Sequence, residues 1–495
     1  TGTNLISSTS GNITIKGDAS SLNTSVSYGM SFFATSVSST TGAITVEGIG
    51  ASNSPADIYW IGADVSSTSG DITVKTGTAA GLTTFQDSTA KISTNGAVTL
   101  QLFKPSFTAF ELAGTGAKTL EPPIGATSFG AAVSTANLTI SSTSSALTIG
   151  STSNNAAITT AKATSIAGPI TIYGGDITNS AALTATTASG SITINSNGTF
   201  TNSAAISSAG GNQPTGVKAQ KAAITGSINS GTAVTSITGF AAGRTLNLGI
   251  TNDTTDTLSL SDTELDTITA GTIRVGDSTS GNITVSAAIS IASAKSTKLA
   301  IRTAGNVTAT NGATITATNL GIAAGGTISI PGNSGVSGNL ALVAAGASAG
   351  SGLTFASSTS YSVDSVDAID PVFGLGKTIS VSSAPAIGST EVRYLNQTWS
   401  APPVVTVKDA YGYALASNNR TATRYTTTIA GSGAPTIAGS TPVVSGGTQT
   451  FSSLNFTTAS GTTALTFSTA NLVSGGTSSV TTGTYDVQGG EPQSI

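Results

Sequence analysis

"SGNITI", residues 10–15, is the stretch whose reading decides the fold. In an extended chain Ile13 and Ile15 project to one face and Thr14 to the other. Gly11 before them reads as a turn residue, with a backbone that other residues reach only under strain. The phrase returns as "TGAITV" from Thr41, "SGDITV" from Ser69 and "NGAVTL" from Asn95. It returns again as "AGPITI" from Ala167, "SGSITI" from Ser189, "AGTIRV" from Ala270 and "SGNITV" from Ser280. Later relatives, "AGNVTA", "GGTISI", "SGNLAL" and "GKTISV", carry it as far as Val381. The early glycines are spaced 42−11=31, 70−42=28 and 96−70=26 residues apart, the later ones 305−281=24 and 326−305=21. Periods of this size mark solenoids, whose units cannot bury an apolar face alone and stack on their neighbours.

Strand, turn, strand and turn make one coil of a parallel β-helix, with coils stacking ~4.8 Å apart. Ile, Val and Leu then form ladders inside, and Thr and Ser form hydroxyl rows outside. A series of β-sandwiches would instead show sharper hairpin signals such as Asn-Gly between paired runs. Composition agrees with strands. Of 495 residues only 8% are charged, 38% are hydrophobic and 59 are glycine, and helix-length periodic segments are lacking.

The same composition removes whole classes of function. The chain has no His, so it has no Ser-His-Asp triad and no usual zinc site. Cys is absent too, and stability must come from repetition and hydrogen bonding. A net charge of −4, without a basic stripe, argues against nucleic acid as a partner. No apolar run approaches the ~18 residues of a membrane span. The opening Thr1-Gly2, without Met, reads as a processed or partial chain.

Two regions break the phrase. Phe103–Phe129, rich in Pro and aromatic residues, reads as an irregular insertion near 103–129 protruding from the helix; Gly210–Gln220 reads as a smaller excursion. After about Val381 the periodicity stops and longer runs recur about every ten residues, as in an antiparallel sandwich. The expected domains are therefore 1–385, a parallel β-helix, and 386–495, a β-sandwich with a C-terminal tail.

Carboxylates are the remaining chemistry. Asp253, Asp256, Asp262, Glu264, Asp266 and Asp277 fall where strands meet turns and read as turn caps, with Leu258, Leu260 and Leu265 facing the core. Asp364, Asp367 and Asp370 recur every third residue in "SVDSVDAIDP" and are the candidate ligands for a structural Ca²⁺, the one cofactor considered. A polysaccharide-cleaving site needs clustered carboxylates or a paired Arg or Lys. The 18 basic residues are scattered, and the chain reads as a non-enzyme.

Two stretches resemble known families. "LSDTELDTITAGTIRVGDSTSGNITV", from Leu260, resembles a repeated segment of very large bacterial exoproteins of the filamentous-haemagglutinin type. Leu260-Ser261-Asp262, Glu264-Leu265-Asp266, Ile268, Ala270-Gly271-Thr272, Gly276-Asp277 and Ser280-Gly281 carry that likeness over about 45 residues. "VTVKDAYGYAL", from Val405, with "FSSLNFTTASGTTALTFS", from Phe451, resembles bacterial Ig-like domains over about 85 residues; Tyr413 stands where that pattern has Asn. The resemblance implies a right-handed parallel β-helix followed by an antiparallel Ig-like β-sandwich, secreted to the bacterial cell surface.

The expected function is that of an extracellular structural protein, a rod assembling head to tail with copies of itself into a fibre, sheath or layer. The alternative is an adhesin of the haemagglutinin type that binds glycans or other cells. A polysaccharide-cleaving β-helix enzyme is the third reading.

Overall fold

The computed structural model describes residues 4–22, 28–51, 54, 56–77, 83–85, 90–251, 253–348, 351–375, 378–384, 389–397, 399, 401–410, 413–416, 419, 425, 427–432, 436–445, 447–458, 461–472 and 478–488. The chain is all-β and divides into two compact units, Thr1–Ala304 and Gly305–Ile495.

In the first unit strands of successive coils pair in parallel and in register, the arrangement of a parallel β-helix. Each of the first coils contributes three strands, as in Asn4–Ser8, Ile13–Asp18 and Met30–Phe33, then Thr35–Ser39, Ile44–Ile49 and Ile58–Ile61. The repeated phrase forms the second strand of each coil. Its last apolar residue builds an inner column of Ile15, Val46, Val74, Leu100, Leu120, Ile149, Ile172, Ile194, Val217, Ile237, Val275 and Ile301. From Val46 onward every member is at most 1% exposed. Each such burial stabilises by about 1.5–3 kcal/mol, which is how a chain so poor in charge and disulfides holds together. On the outer face Thr14, Thr45, Thr73, Thr99, Thr119, Thr148, Thr171 and Thr193 form the matching hydroxyl row.

The turn before that strand differs from expectation. Gly11, Gly42, Gly70, Gly96 and Gly116 all lie outside the left-handed region, so glycine is not there for a special φ. From Gly42 to Gly116 it is there because coils touch backbone to backbone. A Cβ on Gly42 would lie 2.2 Å from the Gly11 carbonyl oxygen, and one on Gly70 would lie 2.2 Å from that of Gly42. The hydroxyl three residues earlier fastens each turn: Ser8, Ser39 and Ser67 accept the N–H of Gly11, Gly42 and Gly70, each at 2.9 Å. Asn12 and Asp71 link rungs, accepting the N–H of Ala43 at 2.9 Å and of Ala97 at 2.8 Å.

A buried polar ladder fills another corner. Thr160 donates to Asn179 at 2.7 Å, Asn179 to Asn202 at 2.7 Å, and Asn202 to the Gly226 carbonyl at 2.8 Å. All three side chains are at most 1% exposed, so each amide satisfies the next across coils.

Much of the expected insertion belongs to this frame. Pro105–Phe107, Phe110–Ala113 and Lys118–Glu121 pair in parallel with the coil before, and Phe107, Phe110, Leu112 and Leu120 are buried. The aromatic residues break the Ile-Thr-Ile wording while still filling inward positions. The longest run of this stretch without a strand is 122–129, and there Ile124 is 77% exposed. The expected excursion at 210–220 likewise holds a 3-10 turn, Ala209–Gly211, and the start of the strand Thr215–Ile224.

The second unit begins with parallel pairing. Val307–Ala309, Ile328–Val336 and Leu353–Ser357 form one ladder, and Asn319–Ala324, Asn339–Ala344 and Ser362–Val363 another. From Thr378 the pairing is antiparallel, apart from Thr390–Tyr394 beside Ser479–Gln488. Two four-stranded sheets there share one core containing Trp399, Tyr425, Phe451, Phe456, Phe467 and Tyr485. Trp399 lies 5.1 Å from Tyr485 between ring centroids. The expected junction at 385/386 falls outside the described residues, between the strands Thr378–Ser382 and Thr390–Tyr394.

Candidate functional site

The acidic stretch folds into a one-turn α-helix, Asp262–Asp266, between strands Thr257–Leu260 and Ile268–Thr269. Ser261 caps it: its hydroxyl accepts the Glu264 N–H at 3.2 Å, and the Glu264 carboxylate accepts the Ser261 N–H at 2.8 Å. Leu258, Leu260 and Leu265 are fully buried, as expected. Four of the six carboxylates, Asp253, Asp262, Glu264 and Asp277, accept backbone N–H groups. Asp262 accepts the Ser290 N–H at 2.6 Å, and Asp277 accepts both the N–H and the hydroxyl of Thr279. Burial pushes the Asp277 carboxyl up, but the bonds from Thr279 and Ser280 outweigh it and hold the group below the usual range. At Asp253 the balance reverses: burial outweighs the N–H bonds from Ser259 and Ala222, the nearby Glu264 adds to it, and the carboxyl is raised.

The calcium candidates lie on an exposed turn. Asp364 accepts the Ser365 N–H at 2.8 Å, and Asp370 accepts the Ser365 hydroxyl at 2.6 Å. Asp367 has left-handed backbone, φ 52°, between Val366 and Ile369, which bridge one another. Among the described residues no three His, Cys, Asp or Glu side chains gather closely enough to hold a metal ion, so these three are not brought together.

Two surface grooves follow from the ladders. Ser7, Ser38, Ser66 and Ser93 stack on adjacent coils and line a hydroxyl groove of about 680 Å³. Asp64, Lys91 and Glu111 stack likewise in a second groove of about 460 Å³, with Lys91 3.1 Å from Glu111 and Lys162 donating to Thr139 at 2.6 Å.

An aromatic platform lies on the outer face of the third strands. Tyr28 stacks on Tyr59 at 5.0 Å and 16°, and Phe33, 53% exposed, meets Tyr59 edge-on at 5.6 Å. Ser31 stands in register below Tyr59, and Thr84 above it.

Sequence reasoning missed two buried ionisable groups. Lys118 lies in the inward column two residues before that of Leu120, between Val98 and Leu147, is 0% exposed, and donates to the Gly116 carbonyl at 2.9 Å. Burial lowers its pKa to about 8. The signal was present: "GAKTL" has Lys where "GAITV" has Ile. Asp57, also 0% exposed, accepts the Gly50 N–H at 2.7 Å, and burial raises its carboxyl.

In the second unit Asp409, the acidic residue of "VTVKD", is 2% exposed and accepts the N–H groups of Tyr413 at 3.1 Å and Gly374 at 3.0 Å. Burial, with Asp409 nearby, pushes the Tyr361 phenol up to about 12.

No family model, no curated protein and no solved structure matches this chain. Among the described residues no helix is long and apolar enough to cross a membrane.

Proposed function

We propose that this protein is an extracellular structural protein of the bacterial cell surface, whose β-helical coils assemble head to tail into a fibre, sheath or layer. The observation that carries this reading is the continuous column of the first unit, in which Ile15, Val46, Val74 and their successors stack in register, coil on coil, as far as Ile301. Strands that pair coil to coil in this way recruit further strand wherever an edge is left free. A head-to-tail contact of that kind does not close on itself and generates a filament. In this reading the coils are right-handed and of the filamentous-haemagglutinin type, and the two sheets around Trp399 form an Ig-like sandwich. The parallel ladders and the shared core support it. Electron microscopy of purified protein at rising concentration should reveal filaments; a species that stays monomeric by light scattering at high concentration refutes the assembly.

The aromatic platform favours a second reading, an adhesin that binds neutral glycans. Its rings suit the apolar faces of sugars, and Ser31, in register below Tyr59, is uncharged. Tyr59→Ala with Phe33→Ala should weaken retention on insoluble polysaccharide while the β-sheet spectrum is unchanged. Equal retention would remove the platform from consideration.

A further inference from the structure

Of the 14 prolines, Pro371 alone follows an Asp, in "AIDPVF", residues 368–373. An Asp–Pro bond is chemically unlike its neighbours. Its nitrogen belongs to a tertiary amide and carries no hydrogen, so it donates to no ladder. The Asp carboxyl is tethered close to the carbonyl of the same residue, which gives it a high effective concentration there.

The structure leaves this bond outside every ladder. Val366 and Ile369 bridge one another, with N–H to carbonyl distances of 3.2 and 2.9 Å, and close a turn through Asp367 and Ala368. Both turn residues have left-handed backbone, φ 52° and 55°, and neither is glycine, so the turn is strained beside the bond. Val366 and Ile369 are 1% and 3% exposed and sit against Gly321, where a Cβ would lie 3.0 Å from Ile369 Cδ1. The chain leaves that packing at Asp370, which is exposed. Across the turn, Ser365 donates its hydroxyl to Asp370 Oδ1 at 2.6 Å. Among the described residues neither Oδ2 nor the Asp370 carbonyl has a hydrogen-bond partner. The hold resumes just beyond. The Gly374 N–H donates to Asp409 Oδ2 at 3.0 Å, and the Asn419 amide donates to the Gly374 carbonyl at 2.8 Å. The bond thus spans two anchored points, after the parallel-paired strand Ser362–Val363 and before the antiparallel-paired strand Thr378–Ser382.

We propose that Asp370–Pro371 is a self-scission site, at which the chain parts into 1–370 and 371–495 using its own carboxyl and water. Ser365 holds Oδ1 and leaves Oδ2 as the attacking atom. Oδ2 adds to the Asp370 carbonyl carbon, and the new C–O bond closes a cyclic anhydride as the C–N bond to Pro371 breaks. The electron pair of that bond stays on the proline nitrogen, which takes the proton the carboxyl gives up. Water then opens the anhydride. Asp370 becomes a C-terminus with two carboxyl groups, and Pro371 becomes an N-terminus with a secondary amine. Nothing is oxidised or reduced, and one water is consumed. The cut separates the parallel coils from the 495−370=125 residues that carry the core around Trp399. It is independent of filament formation and of glycan binding.

The test holds the folded full-length protein in mild acid, at about pH 4, the ordinary range of carboxyl titration. Intact mass spectrometry should show two fragments whose masses sum to that of the parent plus one water, the smaller beginning at Pro371. Asp370→Ala and Pro371→Ala should each lose both fragments. In water carrying heavy oxygen, label should appear in the side-chain as well as the main-chain carboxyl of Asp370, because an anhydride opens from either side. Label confined to the main-chain carboxyl means direct hydrolysis and overturns the proposal. So does a folded wild type that stays whole while the urea-unfolded chain is cut, or a pair of fragments that persists in either variant. Should a variant fold poorly by circular dichroism, the position of the label in the wild type decides alone.

Discussion

Gly42 marks a place where a single methyl group cannot be added. The Gly11 carbonyl is backbone and cannot swing away, so Gly42→Ala should destabilise the first unit by about 1–3 kcal/mol, read as a lower melting temperature. Lys118 is the opposite case, a side chain present where its charge is unwelcome. Its folded pKa, about 8, lies below the ordinary 10.5, so between these values the unfolded chain binds more protons than the folded one. Stability should therefore rise with pH from about 8 to 10.5, by up to about 3 kcal/mol, and level off above. Lys118→Met should raise the melting temperature at pH 7 and flatten that rise; an unaltered pH profile would place the ammonium in water. The glycine was legible in the sequence, but its reason was not, because close approach between coils is invisible along one strand. The lysine was legible only as a misfit in a repeated phrase.

Coils are held by more than apolar columns. Asn202 both accepts from Asn179 and donates to Gly226, so Asn202→Ala removes two bonds of the ladder at once and leaves the Asn179 amide only its longer bond to the Ala204 carbonyl. A loss of about 1–3 kcal/mol is expected in chemical denaturation, with Asn179→Ala in the same background costing much less than it does alone. The strands of these coils could be read from Ile-Thr-Ile alternation because inward and outward residues obey a period of two. The Phe103–Phe129 stretch was misjudged for the same reason: Phe107 and Phe110 keep the period but change the vocabulary. The short helix at Asp262–Asp266 is too brief for any periodic signal, yet its Ser261 and Glu264 carry the spacing of a capping box. The carboxylates beside it could be read as structural from their turn positions; that Asp253 and Glu264 accept the N–H groups of Ala222 and Ile224 depends on contacts 31 and 40 residues apart in sequence.

At the level of the molecule, the change from parallel to antiparallel pairing was legible as a loss of repeat, since hairpin-connected strands do not need a glycine contact every rung. The core around Trp399, Phe456 and Tyr485 could not be assembled from the sequence, because its members lie up to 86 residues apart (485−399).

The glycine contacts carry one more consequence. Rungs of the first unit are joined at fixed points while their corners vary freely, so the fold counts in whole turns and is indifferent to how many residues each turn consumes. One turn can then be edited out cleanly. Removing residues 42–69, the 28 between successive glycines (70−42), joins Thr41 to Gly70 and leaves Ser39 three positions from a glycine as before. The shortened protein should melt cooperatively near the parent, whereas removing 27 residues, which throws every following side chain onto the wrong face, should leave it unfolded by circular dichroism. A lineage built on such joints can lengthen or shorten by recombination at matching seams, with each product born already in register.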